Sequence, residues 1–221
     1  MISIYVDGLD TDLMLEEPFN VSLLIESKEY MRNFLKRLAL EKNEGTLELF
    51  RHEQNDFRSH NEIEFVQDVL FLDYNDKKII NLLNRQLKKL YLSPLIHLSD
   101  EIKKKLEETF EKIQMDYTLN IYSDIELKAE DMLKMLNISI QQDEEKDLLN
   151  DILQYINIIR ELTGSNTFIF HHLSNWLEED ELKSFLHDAK LQGISIIDIE
   201  QSNLKDIYDN QFCIDSSLSL I

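Results

Sequence analysis

"NTFIFHHLSNWLEEDELKSFLHDAKLQGISIIDIEQ", residues 166–201, is the stretch on which the fold turns. A short apolar run, TFIF, stops at His171 and His172; a helix-length segment follows, and a second apolar run, ISIIDIE, closes the unit. Short apolar runs separated by a helix-length segment read as strand, helix and strand of an open α/β sheet, with the two histidines at the carboxyl end of the first strand, where ligands of such sheets usually sit. Working outward, VSLLIES (21–27) is another strand, followed by a helix over Lys28–Lys42 with Tyr30, Met31, Phe34, Leu35 and Leu38 at three- and four-residue spacing. TLELFRH (46–52) alternates with period two, and EIEFVQDVLFL (62–72) reads as either helix or strand.

The middle of the chain has a different period. Ile79, Ile80, Leu82, Leu83, Leu87 and Leu90 make an amphipathic helix that Pro94 is expected to stop. Ser99 is expected to cap a next helix bearing Ile102, Leu106, Phe110 and Ile113, and Ser123 one bearing Leu127, Met132, Leu133 and Leu136. A long helix then runs from Asp143 through Ile159 to Gly164, a residue suited to a left-handed cap. The order is β–α, then helices only, then α–β–α–β, which implies an α/β head (1–75 and 148–221) interrupted by an α-helical leg insertion (76–147). Long helices lying outside a sheet must bury their apolar stripes on one another or on another copy, so oligomerisation is expected.

Composition narrows the function. Of 221 residues, 43 are acidic and 23 basic, a formal net charge of -20 that repels nucleic acid at long range. Nucleic-acid binding therefore needs a local basic face, while crowded carboxylates suit a divalent cation. A single cysteine, Cys213, excludes an internal disulfide and fits a reducing compartment. No stretch approaches the roughly 18 apolar residues of a membrane span, so the expectation is a soluble, cytoplasmic protein. Four glycines and two prolines leave no room for flexible linkers.

A nucleotide hydrolase should carry a glycine-rich phosphate cradle ending in Lys and Ser or Thr after its first strand. Here that turn reads ESKEYMRN (26–33), without glycine, and Glu26 and Glu29 obstruct and repel where Lys28 alone attracts. The strand end that should offer a magnesium-holding carboxylate offers His171 and His172 instead. In an extended segment, neighbours point to opposite faces, so the pair reads as structural. Trp176 reads as a core or interface anchor, Phe168 and Phe170 as core, and Asp198 with Glu200 as a solvated strand end.

Basic residues gather in four places: Arg32, Lys36 and Arg37; Arg51 and Arg58; and two groups on the middle helices. Lys78, Arg85 and Lys89 fall at offsets of seven and four and make one stripe; Lys88 adjoins it, and Lys103, Lys104 and Lys105 form a second group. These are the candidates for contacting a phosphate backbone. The candidate metal ligands are Asp116, Asp124, Glu126, Glu130 and Asp131, of which Asp124 with Asp131 and Glu126 with Glu130 have helical spacing. No twelve-residue calcium loop with its glycine exists, so a site would draw on separate segments or subunits.

Taken together, LEEPFNVSLLIES (15–27), ELFRHEQNDFRSHNEIEFVQDVLFLDYNDKKIINLLN (48–84), YSDIELKAEDMLKMLNISI (122–140) and ILQYINIIRELTGSNTFIFHHLSNWLEEDEL (152–182) resemble the Csn-two family. These are accessory spacer-adaptation proteins of type II-A CRISPR–Cas systems, and the likeness lies in order, lengths and hydrophobic pattern. It implies a nucleotide-hydrolase-like α/β head with an inserted α-helical leg, assembled as a ring-shaped homotetramer. It further implies a non-catalytic protein that binds double-stranded DNA at its ends, independently of sequence, through a lysine-lined hole, holds calcium at acidic leg segments and works with other CRISPR adaptation proteins. The alternative reading is an enzyme, a divergent nucleotidase or metal-dependent phosphohydrolase; a third is a pure protein–protein scaffold.

Overall fold

The computed structural model describes residues 2–4, 13–44, 50–52, 63–116, 118–142, 147–201 and 207–217. In chain order its first elements are β1 (Ile2–Ile4), β2 (Leu13–Leu15), β3 (Asn20–Ile25), α1 (Lys28–Glu44), β4 (Phe50–His52) and β5 (Ile63–Phe65). There follow α2 (Lys77–Asp116), α3 (Ala129–Leu136), α4 (Leu148–Thr163), β6 (Thr167–His171), α5 (Glu179–Leu191), β7 (Ser195–Glu200) and β8 (Asn210–Ile214). A single 3-10 turn, Leu173–Asn175, stands between β6 and α5. The chain divides into two units, Met1–Leu72 with Glu144–Ile221, and Asp73–Asp143.

The first unit is an α/β layer structure, as the opening stretch predicts. Five strands pair in the order β5-β6-β7-β3-β8, and each pairing is parallel. A parallel sheet needs crossovers, and these bring helices onto its faces and bury both. Val21, Leu23 and Ile25 of β3 and Ile197 and Ile199 of β7 share one core with Met31, Phe34 and Leu38 of α1. The opposite face carries Phe168 and Phe170 of β6, both buried as expected; Phe170 meets Phe185 of α5 edge-on, with ring centroids 6.0 Å apart. Each such side chain contributes about 1.5–3 kcal/mol by leaving water. Asn20 is tied to the same helix, its Nδ2 donating to the Leu186 carbonyl at 2.7 Å.

Two assignments differ from the sequence reading in this unit. Only Ile63–Phe65 of the ambiguous 62–72 run is a strand. A second sheet, antiparallel in the order β2-β1-β4, recruits Ile2–Ile4 and Leu13–Leu15, which the sequence reading leaves unassigned. Three-residue strands complete barely one period of alternation, so no pattern announces them. Residues 46–49 lie outside the described residues; the strand expected there is seen as Phe50–His52.

In the second unit Asp76 begins α2, its Oδ1 accepting the Lys78 amide at 2.7 Å. Pro94 does not stop this helix. The break falls at Tyr91 (φ -116°, ψ 24°), and helical backbone resumes to Asp116. Pro94 thus lies in the first turn after the kink, where a missing amide costs no hydrogen bond. Ser99, expected as a cap, is mid-helix, and its Oγ donates to the Ile96 carbonyl at 2.8 Å. Ser123 caps nothing either: 118–128 is irregular and α3 starts at Ala129, where the Asp131 carboxylate accepts the Lys128 amide at 3.0 Å. Leu95, Ala129, Met132 and Leu133 form this unit's core, with Leu87, Ile102, Leu127 and Ile138 against it. Asn75 clasps the returning chain: Nδ2 donates to the Ile140 carbonyl at 3.0 Å and Oδ1 accepts the Ile140 amide at 2.7 Å.

α4 belongs to the first unit. Asp147 caps it by accepting the Asn150 amide at 2.9 Å, and Gly164 ends it at φ 78°, the left-handed cap expected.

Candidate functional site

In the five-stranded sheet the chain runs from β3 toward β5 at one edge, whereas from the adjacent β7 it runs past β3 to β8 at the other edge, so the carboxyl ends of β3 and β7 form a topological switch point. Ligands of such sheets sit there. The turn that should receive them consists of Glu26 and Ser27 alone, between Ile25 and Lys28. Ser27 spends its hydroxyl on capping α1, Oγ accepting the Tyr30 amide at 3.3 Å. Glu26 bridges to the carboxyl end of β8: its amide donates to the Ile214 carbonyl at 3.0 Å and its carboxylate accepts the Ser216 amide at 3.1 Å. A carboxylate and a capping hydroxyl therefore fill the place where backbone amides would face phosphate.

Asp198 and Glu200 are not a solvated strand end: both are 0% exposed. β7 is an inner strand, and the 3-10 turn and Tyr208 close over it. Asp198 Oδ1 accepts the Leu173 amide at 3.3 Å and Oδ2 lies 2.5 Å from the Tyr208 hydroxyl. Burial, reinforced by the negative field of Glu200, pushes the Asp198 carboxyl well above the usual range; burial also raises the Tyr208 hydroxyl. Glu200 Oε1 accepts the Ser174 amide at 3.1 Å and Oε2 lies 2.9 Å from His172 Nδ1.

His171 and His172 do not point to opposite faces. His172 leaves the strand in the left-handed region (φ 56°, ψ 51°), which swings its ring beside that of His171, centroids 4.3 Å apart. Burial and the neighbouring ring hold the His171 imidazole below its ordinary pKa. The two rings line a pocket of about 200 Å³ at the carboxyl ends of β5 and β6, with Asp68, Asn175 and Trp176. Trp176 is 47% exposed, on the pocket rim and not in the core. Asp198 and Glu200 alternate on one face of β7, a spacing equally compatible with a solvated strand end; what buries them is the cover of Leu173 and Tyr208.

The basic candidates are distributed along α2. Lys78, Arg85 and Lys89 precede the Tyr91 break, so helical spacing applies and they share a stripe; Lys78 and Arg85 line a shallow groove of about 470 Å³. Among the described residues Arg85, Lys89, Lys104 and Lys105 have no ion-pair partner. Lys88 is paired with Glu130, and Lys103 lies 3.9 Å from Glu107. Being consecutive, Lys103, Lys104 and Lys105 fan around the helix instead of sharing a face.

The acidic candidates are mostly engaged. Lys88 beside Glu130 holds that carboxyl below its usual range, and Lys134, 3.0 Å from Asp131, does the same there. Glu126 lies 3.5 Å from Lys128. Asp124 and Glu126 stand in the irregular 118–128 segment, so the helical pairing expected for them with Asp131 and Glu130 does not apply. Among the described residues no three His, Cys, Asp or Glu side chains converge as a metal site.

Fold and site together define a class: an α/β protein with a five-stranded parallel sheet whose turn at the carboxyl end of β3 is two residues long, both of them engaged. The chain is similar in structure to Stu0660 of Streptococcus thermophilus, with a TM-score of 0.53 and 10% identity over 90% of this chain and 68% of that one. It is similar also to cbiO1 from Clostridium perfringens, part of the ABC transporter complex cbiONQ, with a TM-score of 0.51 and 13% identity over 100% of this chain and 86% of that one. No curated protein matches the sequence. The family described as "CRISPR-associated protein (Cas_Csn2)" matches residues 40–218, and the chain belongs to that family. Among the described residues no helix is long and apolar enough to cross a membrane.

Proposed function

We propose that this CRISPR-associated protein is a non-catalytic, sequence-independent binder of double-stranded DNA ends that assembles as a calcium-dependent ring-forming homotetramer in the cytoplasm and supports spacer acquisition beside other adaptation proteins. The observation that carries the DNA reading is the stripe on the first half of α2: in a chain of net charge -20, Arg85 and Lys89 stay out of ion pairs among the described residues and share a face with Lys78. Cations left unneutralised on such a chain are available to phosphates, and phosphate contacts carry no sequence information. The test is a gel shift on linear and closed circular duplex. Linear fragments should shift in proportion to their ends, and Arg85→Glu with Lys89→Glu should abolish the shift while the mass in solution is kept. Equal affinity for relaxed circles would overturn end binding.

Calcium belongs to the same proposal. Because no three such side chains converge among the described residues of one chain, our reading draws ligands from Asp116, Asp124, Glu126, Glu130 and Asp131 of more than one copy. The enzyme alternative, a divergent nucleotidase or metal-dependent phosphohydrolase, rests on the His172–Glu200 pair at the strand ends. Nucleotide turnover that disappears in His172→Ala would favour it.

A further inference from the structure

The pocket beside β6 has no role in the reading above, and its chemistry is specific. It opens at the carboxyl ends of β5 and β6, where ligands of parallel sheets sit. At about 200 Å³ it is below the roughly 300–1,000 Å³ of sites for drug-sized ligands, so it admits one ring system and not a whole nucleotide. Its lining offers flat faces, the Trp176 indole and the His171 and His172 rings, and hydrogen-bonding edges, the Gln67 and Asn175 amides and the Asp68 carboxylate. Asp68 Oδ1 accepts the Leu70 amide at 2.9 Å, which fixes the carboxylate and leaves Oδ2 over. Among the described residues the side chains of Gln67, Asn175 and Trp176 have no hydrogen-bond partner. His172 is oriented from behind by the buried Glu200, 2.9 Å from Nδ1, so its other ring nitrogen is the one left for the pocket.

The lining also excludes classes. No Lys or Arg lines the pocket and Asp68 does, so a phosphate would be repelled. No three ligating side chains converge among the described residues, which removes a metal. A guanidinium only donates and would leave the amide and indole N–H groups of Asn175, Gln67 and Trp176 unmatched. A neutral planar ring with donors and acceptors on one edge matches both the faces and the edges.

We propose that this pocket binds a single nucleobase carrying an exocyclic amino group, stacked on Trp176, with its amino edge on Asp68 and Asn175. Stacking tolerates any base, and a carboxylate selects those with an amino donor. The base could come from a free nucleoside or from an unpaired position of a DNA strand. The proposal stands apart from the α2 stripe, so failure of either leaves the other intact.

Trp176 is the only tryptophan of the chain, so its fluorescence reports on this pocket alone. The full-length protein is titrated with adenosine, cytidine, uridine, ribose 5-phosphate and argininamide. Adenosine and cytidine should quench saturably and bind about tenfold or more tighter than uridine, the span of one good edge contact, while the last two compounds give no saturable response. Asp68→Asn, which keeps the turn, and Asn175→Ala should each lower affinity about fivefold or more with unchanged far-ultraviolet circular dichroism. A duplex with a three-nucleotide unpaired end should quench more strongly than both a blunt duplex and the nucleosides where a strand is the source; nucleosides should quench more strongly where it is not. Absence of saturable quenching by any nucleoside at millimolar concentration, equal binding of uridine, or saturation by argininamide alone would overturn the assignment.

Discussion

Asp198 is held without exposed surface among Leu173, Tyr208 and Glu200, and its carboxyl is raised by that burial and by its acidic neighbour. A carboxyl whose pKa is higher folded than unfolded favours folding most below its unfolded value, about 4, and that contribution is lost as pH rises through the folded value. The thermal midpoint should therefore decline from weakly acid to alkaline pH. General repulsion in an acidic chain has the same sign, so the discriminating measurement is Asp198→Asn: the midpoint should rise by a few degrees at pH 8, at about 2–4 °C per kcal/mol for this size, and be unchanged at pH 4. His172→Ala should cost about 1–3 kcal/mol in denaturant unfolding because Glu200 loses a partner, and His172→Gly about 1 kcal/mol less, since glycine accepts φ 56° without strain. Sequence reading placed the histidines at a strand end and Phe168 and Phe170 in the core. It could not show Asp198 buried, because the groups that cover it, Leu173 and Tyr208, are brought there by the tertiary fold.

At the scale of elements, the strands are legible because each inner strand is a continuous apolar run, and the end of α4 because Gly164 marks it; its start is capped by Asp147, four residues after the Asp143 expected. The length of α2 was not legible. Pro94 carries the same letter whether it ends a helix or sits in the first turn after a kink, and only the backbone at Tyr91 decides. Gly164→Ala has open space for its methyl group but must adopt φ 78°, so the expected loss is about 1 kcal/mol in thermal or denaturant unfolding. The Asn75 clasp joins the two ends of the inserted unit through paired amide bonds to Ile140. Asn75→Asp replaces the donor that faces the Ile140 carbonyl with an acceptor, so it should cost about 1–2 kcal/mol and raise hydrogen exchange at Ile140. Asn75→Ala should be milder, since it removes the bonds without adding repulsion.

For the whole molecule, the acidic surplus sets how any DNA binding must respond to solution conditions. Phosphate contacts release counterions, so affinity should fall steeply with salt, and each lost contact should lower the logarithmic slope by about one unit. Comparing Arg85→Gln and Lys89→Gln with the parent at several salt concentrations reads those contacts separately. If acidic side chains of several copies share calcium, a chelator should reduce both the mass in solution and the thermal midpoint, since binding only to the assembled state stabilises it by mass action. Parent chain and Glu26→Gly alike should release no phosphate from ATP. The reason lies in the two-residue passage from β3 to α1. A phosphate cradle of the form G-x-x-x-x-G-K-[ST] spans eight positions, and Ile25 and Lys28 leave two between them. What separates this turn from such a cradle is length, which substitution cannot supply. Building a cradle there would take inserted residues together with release of the Glu26 bridge to β8, so no single exchange in this turn creates a phosphate site.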